Sequence, residues 1–153
     1  MIIVVQRVLN ASVSVDGRIV GMIGRGLLLL IGVAESDSPE DIDFLADKCV
    51  HLRIFEDEDG KMNRSLLDEK GEILAISQFT LLGNTKKGRR PSFIEAANPA
   101  KGEQYYDQFI EKLRSYHIPV QCGIFGAMMD VSLVNYGPVT LILESKNSPS
   151  ATT

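Results

Sequence analysis

The chain opens in a two-residue rhythm. Val13 and Val15 alternate with Ser12 and Ser14, the pattern of a strand with one face buried and one face wet. Asp16-Gly17 follows, a pair that tolerates positive φ at both central positions of a tight hairpin, and Ile19 to Ile23 reads as the returning strand. A second turn at Gly24-Arg25-Gly26 leads into LLLLIGVA. This run has no alternation, so it is expected to be covered on both faces. Residues 2 to 34 are therefore read as β structure. The glycines at 21, 24 and 26 do not make a phosphate-binding loop, because their spacing is wrong and a strand follows instead of a helix.

Beyond residue 38 the rhythm becomes helical. Ile42, Leu45, Ala46 and Cys49 fall at i, i+3, i+4 and i+7 and form one apolar stripe. Ser38 is placed to cap this helix, Pro39 fits its first position, and Glu40 and Asp41 sit at the positive end of the dipole. Leu52 to Phe55 is read as a short strand. The acidic stretch Glu56 to Asn63 invites comparison with a calcium loop. With Gly60 at the sixth position, Phe55 and Leu66 fall first and twelfth, where neither can ligate, so the stretch is read as a turn. Glu72 to Ser77 reads as the next strand. A second helix is expected from about Asn98 or Gly102 to Tyr116, with Tyr105, Phe109 and Leu113 on one face. Val120 to Phe125, Met129 to Asn135 and Val139 to Glu144 are read as three closing strands. With no repeat or linker visible, residues 1–145 are expected to form one domain and the polar stretch 146–153 a disordered tail.

A chain of 153 residues buries roughly two-thirds of its unfolded surface, enough for stability without disulfides or metal. Cys49 and Cys122 sit in apolar surroundings and are read as unpaired core residues of a reducing compartment. The longest apolar run, Gly26 to Ala34, is too short to span a bilayer, and no charged leader precedes MIIVVQRV. A cytoplasmic location without a membrane partner is expected. Sixteen basic against 20 acidic residues give a net charge of −4, which argues against broad duplex binding, so DNA is not an expected partner. The positive charge is nevertheless concentrated at Lys86, Lys87, Arg89 and Arg90. Two readings of that loop stay open: a solvated surface, or a patch that holds a few phosphates at the end of a nucleic acid.

The two histidines, His51 and His117, close the two helices and lie near no nucleophile motif, so a Ser-His-Asp or Cys-His site needs a long-range coincidence. No His/Cys/Asp cluster has metal-ligand spacing, and neither metal nor cofactor is expected. Two stretches remain. In SQFTL, Ser77 to Leu81, hydroxyl and amide side chains reach the end of an apolar strand, where backbone N–H groups also become available. In NYGPVT, Asn135 to Thr140, Gly137-Pro138 interrupts two apolar strands and marks an edge, bulge or turn, with the isomer of that bond left open.

With these two motifs the chain resembles the D-aminoacyl-tRNA deacylase family, whose signatures are SQFTL and NxGPVT. VQRV (Val5 to Val8), GLLLLIGV, LRIF with its acidic turn, KGRRPSF (Lys87 to Phe93) and FGAMMDV (Phe125 to Val131) fall in the family's order and spacing, over about residues 1 to 145. Tyr136 departs from relatives that carry Asp at the variable position of the second motif.

The resemblance implies an α/β fold of layered β/β/α type, with mostly antiparallel strands and two main helices, active as a homodimer on the 3′ end of an aminoacylated tRNA. It implies a cis Gly137-Pro138 bond, inserted by each subunit into its partner's site, where main-chain carbonyls admit D-aminoacyl groups and glycine but block L-residues. Backbone N–H groups around Phe79 and Thr80 are expected to stabilise the oxyanion of ester hydrolysis, with water attacking and the terminal ribose assisting. A covalent Thr80 is the alternative mechanism, and it lacks a visible base. Ser77 and Gln78 are expected to orient substrate and loop, Phe125 and Met129 to line the pocket near the adenosine, and Arg7 to hold the inserted loop. For Phe125 and Met129 core packing is an equal alternative. Two other classes predict different behaviour. A non-enzymatic RNA-binding module binds uncharged RNA without hydrolysis, and a general esterase cleaves free aminoacyl esters as readily as tRNA-linked ones.

Overall fold

The first hairpin forms where its local chemistry directs. Asp16 and Gly17 both take positive φ, 50° and 77°, and join β1 (Ile2–Val15) to β2 (Arg18–Ile23) in antiparallel register, with Val15 opposite Arg18. The computed structural model describes residues 1–145, so the expected tail at 146–153 lies outside the described residues. β3 (Gly26–Gly32) pairs antiparallel with the first half of β1 and parallel with β6 (Glu72–Ser77). With a strand on each edge and cores on both faces, it is buried nearly throughout, as its unbroken apolar run demands.

α1 (Pro39–His51) starts at Ser38, whose backbone N–H donates to Asp41 Oδ2 at 2.8 Å, and it buries Ile42, Leu45, Ala46 and Cys49. Burial alone pushes the Cys49 thiol up to about 12, so it packs as an inert apolar group. The LRIF strand is shorter than expected. Leu52 caps α1, and only Phe55 and Glu56 form β4, paired with β5 (Met62–Arg64) around the acidic turn. In that turn the Asp57 carboxylate accepts from the N–H groups of Asp59 and Lys61 at 2.9 and 3.0 Å. A four-residue helix, α2 (Leu66–Glu69), carries no periodic signal and went unanticipated.

α3 (Pro99–Arg114) begins at Asn98, whose side chain accepts the Lys101 N–H at 2.9 Å. Its inward face carries Tyr106, Phe109, Ile110 and Leu113, with Tyr105 at the margin, a correction of one position at the helix start. All three expected closing strands also change. β7 is only Val120–Cys122, parallel to β6, and the last two merge into one strand, β8 (Asp130–Glu144), along the full length of β1.

A continuous sheet in the order β2-β1-β3-β6-β7, with β8 on the other edge of β1, builds both β layers. α1 and α3 cover one face over a core that includes Ile3, Val5, Leu29, Leu45, Phe55 and Phe109. On the other face the sheet curls until Gly21 of β2 backs onto the Cys122 carbonyl of β7, enclosing Val8, Val13, Leu28, Leu74 and Ile76. The domain is thus mixed α/β with mostly antiparallel pairings. No helix among the described residues is long and apolar enough to cross a membrane.

Candidate active site

The parallel strands β3 and β6 end together, with Ile31 opposite Ser77, and the chain then turns sharply. The Gln78 N–H donates to the Ile31 carbonyl at 2.7 Å, and Phe79–Leu82 form one turn of 3₁₀ helix. This turn lies directly on β3 because Gly32 has no side chain: a Cβ there would stand 2.7 Å from Leu82 Cδ2 and 3.1 Å from the Gln78 carbonyl. The ladder of the turn starts with the Leu81 N–H, which donates to the Gln78 carbonyl at 3.2 Å. The N–H groups of Phe79 and Thr80 precede that ladder, as the leading donors of any helix do. Both residues are exposed.

The turn forms one wall of a cavity of about 840 Å³. Ser77, Gln78, Phe79 and Thr80 line it from this turn, and Phe125, Ala127, Met128 and Met129 from the segment between β7 and β8. Phe93, Asn98 and Gly102 close the end at the start of α3. Phe125 rests on α3, its Cζ 3.4 Å from where a Gly102 Cβ would lie, and packs against Tyr106 with ring centroids 6.2 Å apart. Tyr106 in turn donates its hydroxyl to the Ala75 carbonyl at 2.7 Å, which ties α3 to β6 beneath the cavity floor. Met129 packs against the core inside the curled sheet. For Phe125 and Met129 the two readings therefore coincide: each lines the cavity and packs on hydrophobic neighbours.

Among the described residues, none that lines the cavity carries an ionisable side chain. The Gln78 amide donates to the Thr80 hydroxyl oxygen, so that oxygen meets a donor where a base would be needed to activate it. His51 lies far off at the end of α1, against the Asp47 carbonyl at 2.9 Å and edge-on to Tyr116, and His117 is exposed beyond α3. What the wall offers is dipoles: two leading N–H groups, two hydroxyls and an amide.

Arg7, Gly137 and Pro138 are brought together elsewhere. Val8 pairs with Asn135 and Gln6 with Thr140, so residues 136 to 139 loop out of the ladder opposite Arg7 alone. Only 2% of Arg7 is exposed. Its Nε donates to the Tyr136 carbonyl at 3.1 Å and its Nη1 to the Ile54 carbonyl at 2.8 Å, while its guanidinium lies 4.6 Å from the centre of the Tyr136 ring. Tyr136 thus contributes a ring face to the arginine. Asn135 closes the loop from inside, donating to the carbonyls of Arg7 and Val139, each at 3.0 Å. Gly137 holds φ +123°, and a Cβ there would stand 2.8 Å from Arg7 Nη2. The Gly137–Pro138 bond is cis, and both residues are exposed. Neither lines the cavity of its own chain.

Sequence reasoning did not single out Phe93, Asn98 and Gly102, which reach the cavity through tertiary packing alone, or Asn135 as a clamp. Beside the Gly137-Pro138 interruption itself, the signal for how the loop is held was a charge, Arg7, inside an apolar strand.

The family model described as D-Tyr-tRNA(Tyr) deacylase matches residues 4–144. A D-aminoacyl-tRNA deacylase of Bacillus velezensis is 57% identical over 146 residues, spanning 95% of this chain and 99% of that protein. Another, of Bacillus cytotoxicus, is 58% identical and spans 95% and 100%. A solved structure described as c-Myc DNA Unwinding Element Binding Protein matches with a TM-score of 0.90 at 42% identity, over 95% of this chain and 99% of its own. A probable eukaryotic D-amino acid tRNA deacylase matches at TM-score 0.80 and 20% identity, over 93% and 97%, and shows a shared fold.

Proposed function

The chain belongs to the D-Tyr-tRNA(Tyr) deacylase family, and we propose that the uncharged cavity behind Ser77–Thr80 is where it hydrolyses the ester of D-aminoacyl-tRNA, completed by the Gly137-Pro138 loop of a second copy. Hydrolysis of D-aminoacyl-tRNA to free D-amino acid and tRNA is the activity this membership carries. The observation on which the mechanism stands is the absence of any titratable side chain from the cavity wall.

In that setting the substrate supplies the reactive groups and the protein supplies fixed dipoles. The scissile carbonyl points at the N–H groups of Phe79 and Thr80, which hold its oxygen as negative charge develops, each donor worth about 3–4 kcal/mol. Water attacks the carbonyl carbon and the acyl C–O bond breaks. The terminal ribose oxygen leaves with the bonding pair and takes up the proton that water gives up, relayed by the neighbouring ribose hydroxyl, while Thr80 with Gln78 shapes the turn. Ser77 orients the aminoacyl group, and Phe125 and Met129 accept the adenosine.

Selection falls to the second element. An exposed Gly-Pro segment presents carbonyl oxygens and almost no side chain, so a substrate ammonium finds acceptors while a Cβ on the wrong side meets main chain. Glycine, without a Cβ, passes such a wall. Insertion from a partner accounts for a rigid, exposed loop remote from its own cavity. It also accounts for the uncovered apolar residues on the same strands, including Leu9, Val134, Tyr136, Leu141 and Ile142.

The experiment is deacylation of D-Tyr-, L-Tyr- and Gly-charged tRNA side by side, with subunit mixing. Release of the D-tyrosyl and glycyl groups with the L-tyrosyl ester spared supports the reading, and equal release of both enantiomers overturns it. Gly137→Ala chains, which lose the D/L preference alone, and Phe79→Pro chains, which are inactive alone, should regain D-selective release when mixed, at about one site in four for random pairing. No regain would place the loop in its own subunit's chemistry.

A further inference from the structure

Between the 3₁₀ turn and Phe93 the chain carries Lys86, Lys87, Arg89 and Arg90, all exposed. None of the four joins an ion pair among the described residues, although the chain holds 20 acidic residues. Four neighbouring cations with no ion-pair partner among the described residues repel one another, a cost that a bound anion would relieve.

The neck of this loop is built. Asn84 and Ser92 exchange backbone hydrogen bonds at 2.8 and 2.9 Å, and Asn84 Oδ1 accepts the Lys86 N–H at 2.9 Å. Just past the neck, the Phe93 ring packs edge-on against Phe79, centroids 5.1 Å apart. The loop is therefore anchored on the very turn that supplies the N–H groups of the active site. A second cavity, about 260 Å³, lies at its foot, with Asn84, Lys86 and Glu95 among its lining residues. The wall between the two cavities is shared: Thr80 faces one and Leu81 the other, Ala96 one and Glu95 the other.

We propose that this loop grips the phosphodiester backbone of the nucleotides that precede the terminal adenosine, steering the acceptor strand over the rim into the active site. Arginine forks bind phosphate in two-point fashion and lysines act as mobile point charges, so the mixture tolerates any base sequence. The otherwise acidic body repels an extended polyanion, and a basic cluster five residues long attracts only its end, which fits an RNA terminus better than duplex DNA. The identity of the RNA rests on the deacylase reading; the grip itself does not.

The test compares wild type with a Lys86→Ala, Lys87→Ala, Arg89→Ala, Arg90→Ala chain, leaving Asn84, Ser92 and Phe93 intact. A fluorescent, uncharged tRNA acceptor minihelix with a single-stranded 3′ end is titrated between 50 and 200 mM salt. In parallel, kcat/KM is measured on D-tyrosyl-tRNA and on D-tyrosyl-adenosine. The variant's plot of log affinity against log salt should flatten by about 2–3, at about 0.7 for each single-stranded phosphate no longer neutralised. The ratio of kcat/KM on the RNA substrate to that on the nucleoside should fall about tenfold or more. Unchanged slopes, equal losses on both substrates, or equally tight wild-type binding of a blunt DNA duplex would each overturn the grip. If wild type hydrolyses neither ester yet binds the minihelix through these four residues, the deacylase reading fails and the grip stands.

Discussion

The two motif regions are built on opposite principles. Ser77 to Thr80 ends a pair of parallel strands and faces a cavity whose described lining carries no charged group, so in the proposed reading its working parts are backbone dipoles held by secondary structure. Asn135 to Thr140 leaves an antiparallel ladder and is pinned by a nearly buried arginine, so in the proposed reading its working part is a main-chain contour. The difference separates two tasks. Stabilising a developing oxyanion profits from a neutral, water-poor setting in which each N–H keeps its full strength. Rejecting a mirror image profits from rigidity, because a soft loop yields to the wrong substrate.

The largest effect should come from removing one dipole without removing the turn. Phe79 opens the 3₁₀ turn, where proline fits, and Gln78 before it holds φ −142° and ψ 77°, outside the helical region that proline disfavours in its predecessor. Phe79→Pro therefore deletes the N–H while the backbone path survives. With Phe79→Ala as the control for the lost ring, kcat in single-turnover deacylation should fall about 10²–10³-fold further in the proline variant. Equal rates for the two would take the oxyanion role away from this N–H and erase the contrast with the loop.

Next is the pin. Arg7→Ala orphans the carbonyls of Tyr136 and Ile54 and opens a buried site, and thermal unfolding should show a loss of about 2–4 kcal/mol. The kinetic signature matters more. If the loop selects and does not catalyse, the ratio of D- to L-tyrosyl release should collapse while the D-rate falls less. Arg7→Lys keeps the charge but loses the two-pronged geometry, and should fall between. Loss of both rates in proportion, with the D/L ratio intact, would make the loop part of the chemical apparatus.

Much of this architecture was legible where the determinants are local. Asp16-Gly17 writes its turn, Ser38-Pro39 starts α1, and Glu72–Ser77 is bounded as expected. Long-range pairing decides the rest. Proline at 138 suggested two strands, yet β8 is continuous because β1 offers partners on both sides of the looped-out residues, and the missing donor falls where no ladder bond is needed. Leu52 to Ile54 look like a strand by composition, but Leu52 ends α1 and the Ile54 carbonyl is taken by Arg7. Tyr105 and Tyr106 are interchangeable by periodicity, and only the position of Ala75 selects the second. Short elements such as α2 and the 3₁₀ turn are below the length at which a period can be read.

The smallest expected effects concern Thr80 and pH. A hydroxyl that accepts from the Gln78 amide shapes the turn; it is not primed to attack. Thr80→Ala should keep single-turnover deacylation within about tenfold of wild type, where removal of a true nucleophile costs several orders of magnitude more. The pH profile tests the same claim without a mutation. Tyr106, which packs against Phe125, and Cys122 are both raised by burial above their ordinary 10.0 and 9.0. Both stay neutral through the assay range. Their stabilising contribution is complete below those ordinary values and is lost only as pH climbs through the raised ones, well into alkali. Between about pH 5.5 and 8.5 kcat should show no inflection beyond that of the substrate's own α-amino group, which titrates near 7.7–8.0 in peptides. That single inflection should be identical in wild type and Thr80→Ala. A second, acid-side inflection that disappears with Thr80 would mean a base reaches this hydroxyl after all, and the cavity would then resemble the loop in depending on a charge.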